Sequence, residues 1–149
     1  MSIYYLPFIL QGVCMFFDEF IFHRSRYLPR WEQIGHPADT LSTLLTLLIP
    51  TFFSYHQFTS NVFIGLAIFS CLLITKDEFV HSKYCKPLEH WLHAVLFILH
   101  PITFICAYLM WVERKHSNFF NIQFSLISLF LIYQLLPWSK NYGFYTKSE

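Results

Sequence analysis

The sequence predicts an all-α integral membrane protein of five transmembrane helices, the first four forming a four-helix bundle of duplicated hairpins. Three observations carry this reading. Hydrophobic residues make up 55% of the chain and charged residues 13%, about half of the roughly 25% usual in soluble domains. The apolar residues gather in five runs without Asp, Glu, Lys or Arg, at 3–17, 40–55, 57–75, 94–112 and 119–138. One polar pattern also occurs twice: Asp18-Glu19-Phe20, His23, Pro29, Glu32, His36, and then Asp77-Glu78-Phe79, His81, Pro87, Glu89, His93. Carboxylates and imidazoles repeated inside so apolar a chain are costly near lipid unless something binds them.

The first two runs hold only 15 and 16 residues, about 22–24 Å of helix against a hydrocarbon layer of about 30 Å. Helix 1 must therefore continue through Asp18 and Glu19 toward His23. Helix 2 must begin early and pass through Glu32, His36 and Asp39, with Pro29 as the stop and restart between them. The third and fourth runs form the second hairpin: Asp77, Glu78 and His81 end one helix, Lys86-Pro87 turns the chain, and Glu89 and His93 open the next. The fifth run has no ionisable residue between His116 and Lys140 and is expected to cover the bundle or to make an oligomer contact. The chain reads as one membrane domain over residues 1–149, with repeat 1 at about 3–55, repeat 2 at about 57–112 and the last helix at about 118–138.

Basic residues set the orientation. Arg24, Arg26, Arg30, Lys83, Lys86, Lys140 and Lys147 lie on one side, seven against Arg114 and Lys115 on the other. This places the amino terminus outside and the carboxyl terminus in the cytoplasm of a plasma or inner membrane, with both repeat loops cytoplasmic. The start lacks a basic leader region, so the first apolar segment is expected to stay as a helix. Cys14, Cys71 and Cys106 fall within spans and form no CxxC pair, which argues against disulfides. Trp31, Trp91, Trp111 and Trp138 sit at span ends, where an aromatic belt is expected. His56 and His116 read as solvated loop residues on the far side.

At about 100° per residue, Glu32, His36 and Asp39 share one stripe of helix 2, and Glu89, His93 and His100 share one of helix 4. Glu19 and His23 are one turn apart, as are Glu78 and His81. The predicted metal ligands are Glu19, His23, Glu32, His36, Glu78, His81, Glu89 and His93, with Asp18, Asp39, Asp77, His90 and His100 orienting them or lining the pocket. Gln11 either faces the same cavity or joins helices. Two transition-metal ions fit this donor count, by the ligand logic of four-helix carboxylate sites, although the Glu/His pairs here are spaced i, i+4 and those of that class i, i+3. Carboxylate and imidazole without thiolate favour iron, with manganese or zinc as alternatives. The competing reading of the same acids is ion pairing at the membrane edge with Arg24, Arg26, Arg30, Lys76, Lys83 and Lys86.

A net charge of +1 gives no electrostatic footprint for nucleic acid, and four glycines leave little room for a nucleotide cradle. The clustered histidine boxes of membrane desaturases and hydroxylases are absent. The function expected is a membrane-embedded dinuclear metal protein, a di-iron oxidoreductase acting on a lipid or other apolar substrate; the alternatives are a transition-metal carrier or sensor and a zinc-dependent lipid hydrolase. Membrane lipids, an apolar small molecule and a second copy of the chain are the expected partners. The topology is directly testable: cysteines introduced within 24–30 and 83–86 should react with an impermeant maleimide only from the cytoplasmic side, and one beside His56 only from outside. Labelling of the two repeat loops from opposite sides would rule out a site shared between them.

Overall fold

The computed structural model describes residues 3–22, 30–79, 86–113 and 117–136, and every element among them is helical. Helix α1 (Leu6–Phe17) follows a 3-10 turn, Ile3–Tyr5, and runs on into a π-helical turn, Asp18–Phe22. Pro7 lies in its first turn, where the missing N–H has no intrahelical partner to lose. Helix α2 (Arg30–Phe52) passes through Glu32, His36 and Asp39, the extension that its short apolar run demanded. Helix α3 is Gln57–Ile74, extended by a 3-10 turn, Thr75–Asp77; α4 is Pro87–Glu113 and α5 is Ser117–Leu135.

Local chemistry accounts for these ends. Thr59 stands at the third position of α3, accepts the His56 N–H at 3.1 Å and bonds back to the His56 carbonyl at 3.0 Å, which ties down the start of that helix. The His56 ring itself is exposed, as expected for a loop residue. Pro87 opens α4, as prolines favour. Pro101 lies inside the same helix, where it removes one main-chain bond. Helix α2 carries a run of hydroxyl side chains that it satisfies by itself: Ser42 and Thr43 bond the Asp39 carbonyl at 2.8 and 2.9 Å, Thr46 the Ser42 carbonyl at 2.9 Å and Thr51 the Leu47 carbonyl at 2.6 Å. Self-satisfied hydroxyls can be buried cheaply, and Ser42 and Thr46 are buried.

The sequence predicts five spans, and among the described residues four helical segments are long and apolar enough to cross a membrane: Ile3–Phe22, Gln57–Ile74, Pro87–Glu113 and Asn118–Leu135. Helix α2 has the length, at 23 residues, but the polar residues of its first half and its hydroxyl run keep it out of that group. The outer surfaces are apolar, with Ile68, Leu72, Ile98, Ile105, Leu129 and Ile132 all exposed.

Packing closes the helices into a ring. Helix α2 lies along α3 on one side and α5 on the other, α3 meets α4, and α4 runs along α1. The ring is completed between α1 and α5 by rings rather than backbones: Phe119 packs on Tyr5 and Phe8, and Tyr133 on Phe20. Helix α5 thus covers the bundle, and it does so by standing between α1 and α2. Those two helices, paired in sequence as the first hairpin, make no extensive contact with each other.

The hydrophobic core sits toward the end of the bundle remote from Asp18 and Glu89, where Phe8, Leu47, Phe63, Phe104, Ala107, Met110, Trp111 and Phe120 form one cluster. Trp111 belongs to this core and not to an aromatic belt: it is 5% exposed, and its indole N–H donates to the Phe53 carbonyl at 2.9 Å. Trp91, at 62% exposure, keeps the position a belt residue would have. Tyr108 links the same end together, with its hydroxyl 2.9 Å from Ser60 Oγ and 3.2 Å from the Tyr55 hydroxyl.

Ala107 has no accessible surface, so Ala107→Leu should overpack the junction of α4 with its neighbours and cost about 1–3 kcal/mol. A lower melting temperature by circular dichroism in detergent checks this. Ile105→Leu, on the outer surface of the same helix, should stay within about 0.5 kcal/mol.

Candidate metal centre and cavity

Helices α1 and α4 run antiparallel and meet through two polar rungs. Gln11 Nε2 lies 2.9 Å from His100 Nδ1, and His93 Nε2 lies 2.9 Å from Asp18 Oδ1. Gln11 and Asp18 are seven residues apart on one strand of this ladder, and His93 and His100 seven apart on the other. Seven residues are close to two helical turns, about 10 Å, so both rungs fall on the same seam.

The Asp18–His93 rung carries the group of ligand-type side chains that converges among the described residues. Asp18, Glu89 and His93 each offer one ligand atom, and these atoms lie within 4.8 Å of one another. All three are buried, at 6%, 1% and 5% exposure. Glu89 and His93 come from successive turns of α4, as their i, i+4 spacing predicts. Asp18 comes from the π-helical turn that continues α1, two turns from buried Gln11 and on the same face.

The Gln11–His100 rung is the start of a directional chain. Gln11 donates to His100 Nδ1, which leaves the imidazole proton on Nε2. Nε2 lies 2.9 Å from Ser70 Oγ, Ser70 Oγ lies 2.8 Å from Ser42 Oγ, and Ser42 donates to the Asp39 carbonyl at 2.8 Å. Read from the carbonyl back, each donor has one acceptor, and both nitrogens of His100 are used. His100 is buried, and Phe104 packs edge-on against it with centroids 4.6 Å apart.

Both rungs border one cavity of about 720 Å³. Its walls are mostly apolar, with Phe8, Leu47, Phe97 and Ile127 among them, and it reaches from the core to the polar end of the bundle. Gln11, Thr43, Thr103 and His100 stand midway; Asp18, Glu19, His36, Asp39, His93 and Gln134 stand at the polar end. That combination of apolar walls with a few convergent polar groups is the usual form of a small-molecule site.

The structure therefore brings together part of the predicted ligand set. Of the eight expected ligands, Glu89 and His93 lie together. Asp18, predicted to orient ligands, joins them directly, and its neighbour Glu19 instead borders the cavity and accepts a bond from Gln134 Nε2 at 3.5 Å. His36 borders the same end. Asp39 is held by Lys76 Nζ at 2.7 Å from both carboxylate oxygens, so for this acid the ion-pair reading holds. Glu78 is not brought to the group: its Oε1 lies 3.5 Å from His90 Nε2, and both side chains are well exposed. His23 and His81 lie outside the described residues, as do the side chains of Glu32 and Asp77. The convergent group thus takes Asp18 from the polar segment after the first apolar run and Glu89 and His93 from the segment before the fourth.

Sequence reasoning missed Ser42, Ser70, Thr40 and Gln134 as parts of the polar interior. Thr40 donates to Gln134 Oε1 at 2.7 Å, which joins α2 to α5. The equal seven-residue spacing of Gln11–Asp18 and His93–His100 was the available signal for the ladder. Cys14, Cys71 and Cys106 are free thiols. No protein-family model, curated protein or solved structure matches this chain.

Leaving a buried polar partner unsatisfied costs about 1–3 kcal/mol. His100→Leu strands Gln11 Nε2 at one end and removes a partner of Ser70 at the other, so stability in detergent should fall by about that amount. The double variant Gln11→Leu/His100→Leu should recover part of the loss, because both sides of the rung then become apolar. A double variant no better than the single one would show that the rung does not couple the helices.

Proposed function

We propose that this chain is an integral membrane metalloprotein that binds a transition-metal ion through Asp18, Glu89 and His93 and acts as an oxidoreductase on an apolar molecule held in the adjoining cavity. The observation that carries the reading is the convergence of two buried carboxylates and one buried imidazole, of which Asp18 and His93 line the polar end of that cavity. The apolar outer surface and the four segments of spanning length support placement in a membrane. In lipid, the cavity is reached by apolar molecules already dissolved in the bilayer.

The donor chemistry supports iron first and manganese or zinc after it, because two hard oxygens and one imidazole without thiolate suit these ions. Three protein donors leave coordination positions for water or substrate, the arrangement that catalytic sites keep. Asp18 and Glu89 supply the negative charge, and His93 supplies a neutral donor whose ring is anchored in the α1–α4 seam. A second ion, as a dinuclear site requires, would draw on Glu19 and His36, which border the same end of the cavity, together with Glu32, His23 and His81 of the repeat.

Elemental analysis of the purified full chain with an absorption spectrum tests the reading. At least one equivalent of iron should be present, and the spectrum should respond to dioxygen. Glu89→Gln and Asp18→Asn keep side-chain shape but remove an anionic donor, so each should lower metal content severalfold. Glu78→Gln, remote from the triad and paired with His90, should leave the first equivalent in place. A metal-free chain of unchanged helicity and stability would overturn the proposal, since an ion that binds only the folded state must stabilise it.

A further inference from the structure

We propose that the cavity takes a long-chain alcohol, an apolar molecule whose hydroxyl donates a hydrogen bond to Gln11 Oε1. The inference rests on the apolar-substrate half of the proposed function and is independent of the metal. Its basis is the one amide of the cavity wall that is only half used. Gln11 is buried, at 9% exposure; its Nε2 is engaged by His100, and its Oε1 has no hydrogen-bond partner among the described residues. A buried acceptor left unmade is expensive, and the group that satisfies it must be a donor.

The same hydrogen-bond chain decides which face of the amide is left over. Ser42 spends its proton on the Asp39 carbonyl, Ser70 spends its own on Ser42, and His100 therefore donates from Nε2 to Ser70 and accepts at Nδ1. Gln11 must meet that lone pair with an N–H. The amide is thereby set with its oxygen unspent, and the setting is made four residues away on α2 and α3. His100 is thus a positioning residue for Gln11.

The neighbouring hydroxyls are biased the same way. Thr103 donates to the Leu99 carbonyl at 2.8 Å and Thr43 to the Asp39 carbonyl at 2.9 Å, so both offer lone pairs to the cavity and not protons. Gln123, on α5, also borders the cavity and offers donor and acceptor alike, so it does not discriminate. A ketone, ester or ether would bring another acceptor to this depth and leave Gln11 Oε1 unmet. An alcohol brings the donor. The volume of about 720 Å³ holds on the order of twenty heavy atoms, taking about 30 Å³ for each as for a water molecule in the liquid, and the walls beyond Gln11 are apolar.

The test uses the full chain in detergent micelles with an equimolar mixture of hexadecan-1-ol and its methyl ether, which share one chain but differ in the ability to donate. Native mass spectrometry reads the two retained adducts, each normalised to its content in the micelles. The alcohol adduct should exceed the ether about tenfold in the native chain, the worth of one buried hydrogen bond. Gln11→Met, which keeps the volume and removes the amide, should bring the ratio close to one with both probes still retained. Ser70→Ala, which touches neither probe, should lower the preference by releasing the setting of His100. A ratio near one in the native chain, retention of neither probe, or a preference that survives Gln11→Met overturns the proposal. Metal content read on the same samples separates the two ideas. Metal without the alcohol preference removes only the occupant, and the preference in a metal-free chain removes only the metal.

Discussion

The constraint on which the rest of the structure depends is the cost of holding polar side chains inside an apolar bundle, and the α1–α4 seam is where it is met. Asp18 with His93 and Gln11 with His100 are two bonds at 2.9 Å between the same two helices. A shift of one helix along the other by a single residue would break both at once and cost each of four buried polar groups one bond. Packing of Leu, Ile and Phe alone tolerates such shifts because apolar side chains can repack. The polar rungs do not, so they set the register of α1 on α4 and, with it, the distance between Asp18 and Glu89 in the convergent group.

The rungs also explain why the bundle is a ring with a space in it. Helix α4 is drawn to α1 by the rungs and α2 is drawn to α3 through Ser42 and Ser70. Helix α5 enters between α1 and α2, with Phe119 against Tyr5 and Phe8 near one end and Gln134 bonded to Thr40 near the other. The side chains that fill the core lie at the end occupied by Trp111, Met110 and Ala107. At the opposite end the walls are held apart by polar groups that need partners of their own, and the cavity is the space between them.

Much of this was legible from local pattern. The five runs give five helices, and the arithmetic of short apolar runs against bilayer thickness required α2 to begin near Arg30 and carry Glu32, His36 and Asp39 within it. The i, i+4 pairing of Glu89 and His93 needed only helical geometry. What local pattern could not supply was the partner across the bundle. Glu19 was favoured over Asp18 because it is one turn from His23, but Asp18 is in phase with Gln11, and the π-helical turn that begins at Asp18 alters the phase of everything after it. Trp111 looked like a belt residue because span ends commonly carry them, and only the approach of Phe53 to its N–H places it in the core. Lys76 and Asp39 are far apart in sequence, and their ion pair follows from the contact of α2 with α3.

The two rungs differ in chemistry. The outer one joins a carboxylate to an imidazole with a second buried carboxylate beside them, the donor types that a metal ion would use in the proposed reading. The inner one is neutral and has every polar contact directed by the serines behind it. Its Nδ1 lone pair is spent on Gln11 and its Nε2 proton on Ser70, so it offers nothing to a metal and keeps a fixed amide oxygen at mid-depth. A cavity with acids and imidazoles at its polar end and a fixed amide at its middle presents two unlike ends. In the proposed reading, an apolar tail would lie among Phe8, Leu47 and Ile127 and a polar head at or beyond Gln11, on the side lined by Asp18 and His93.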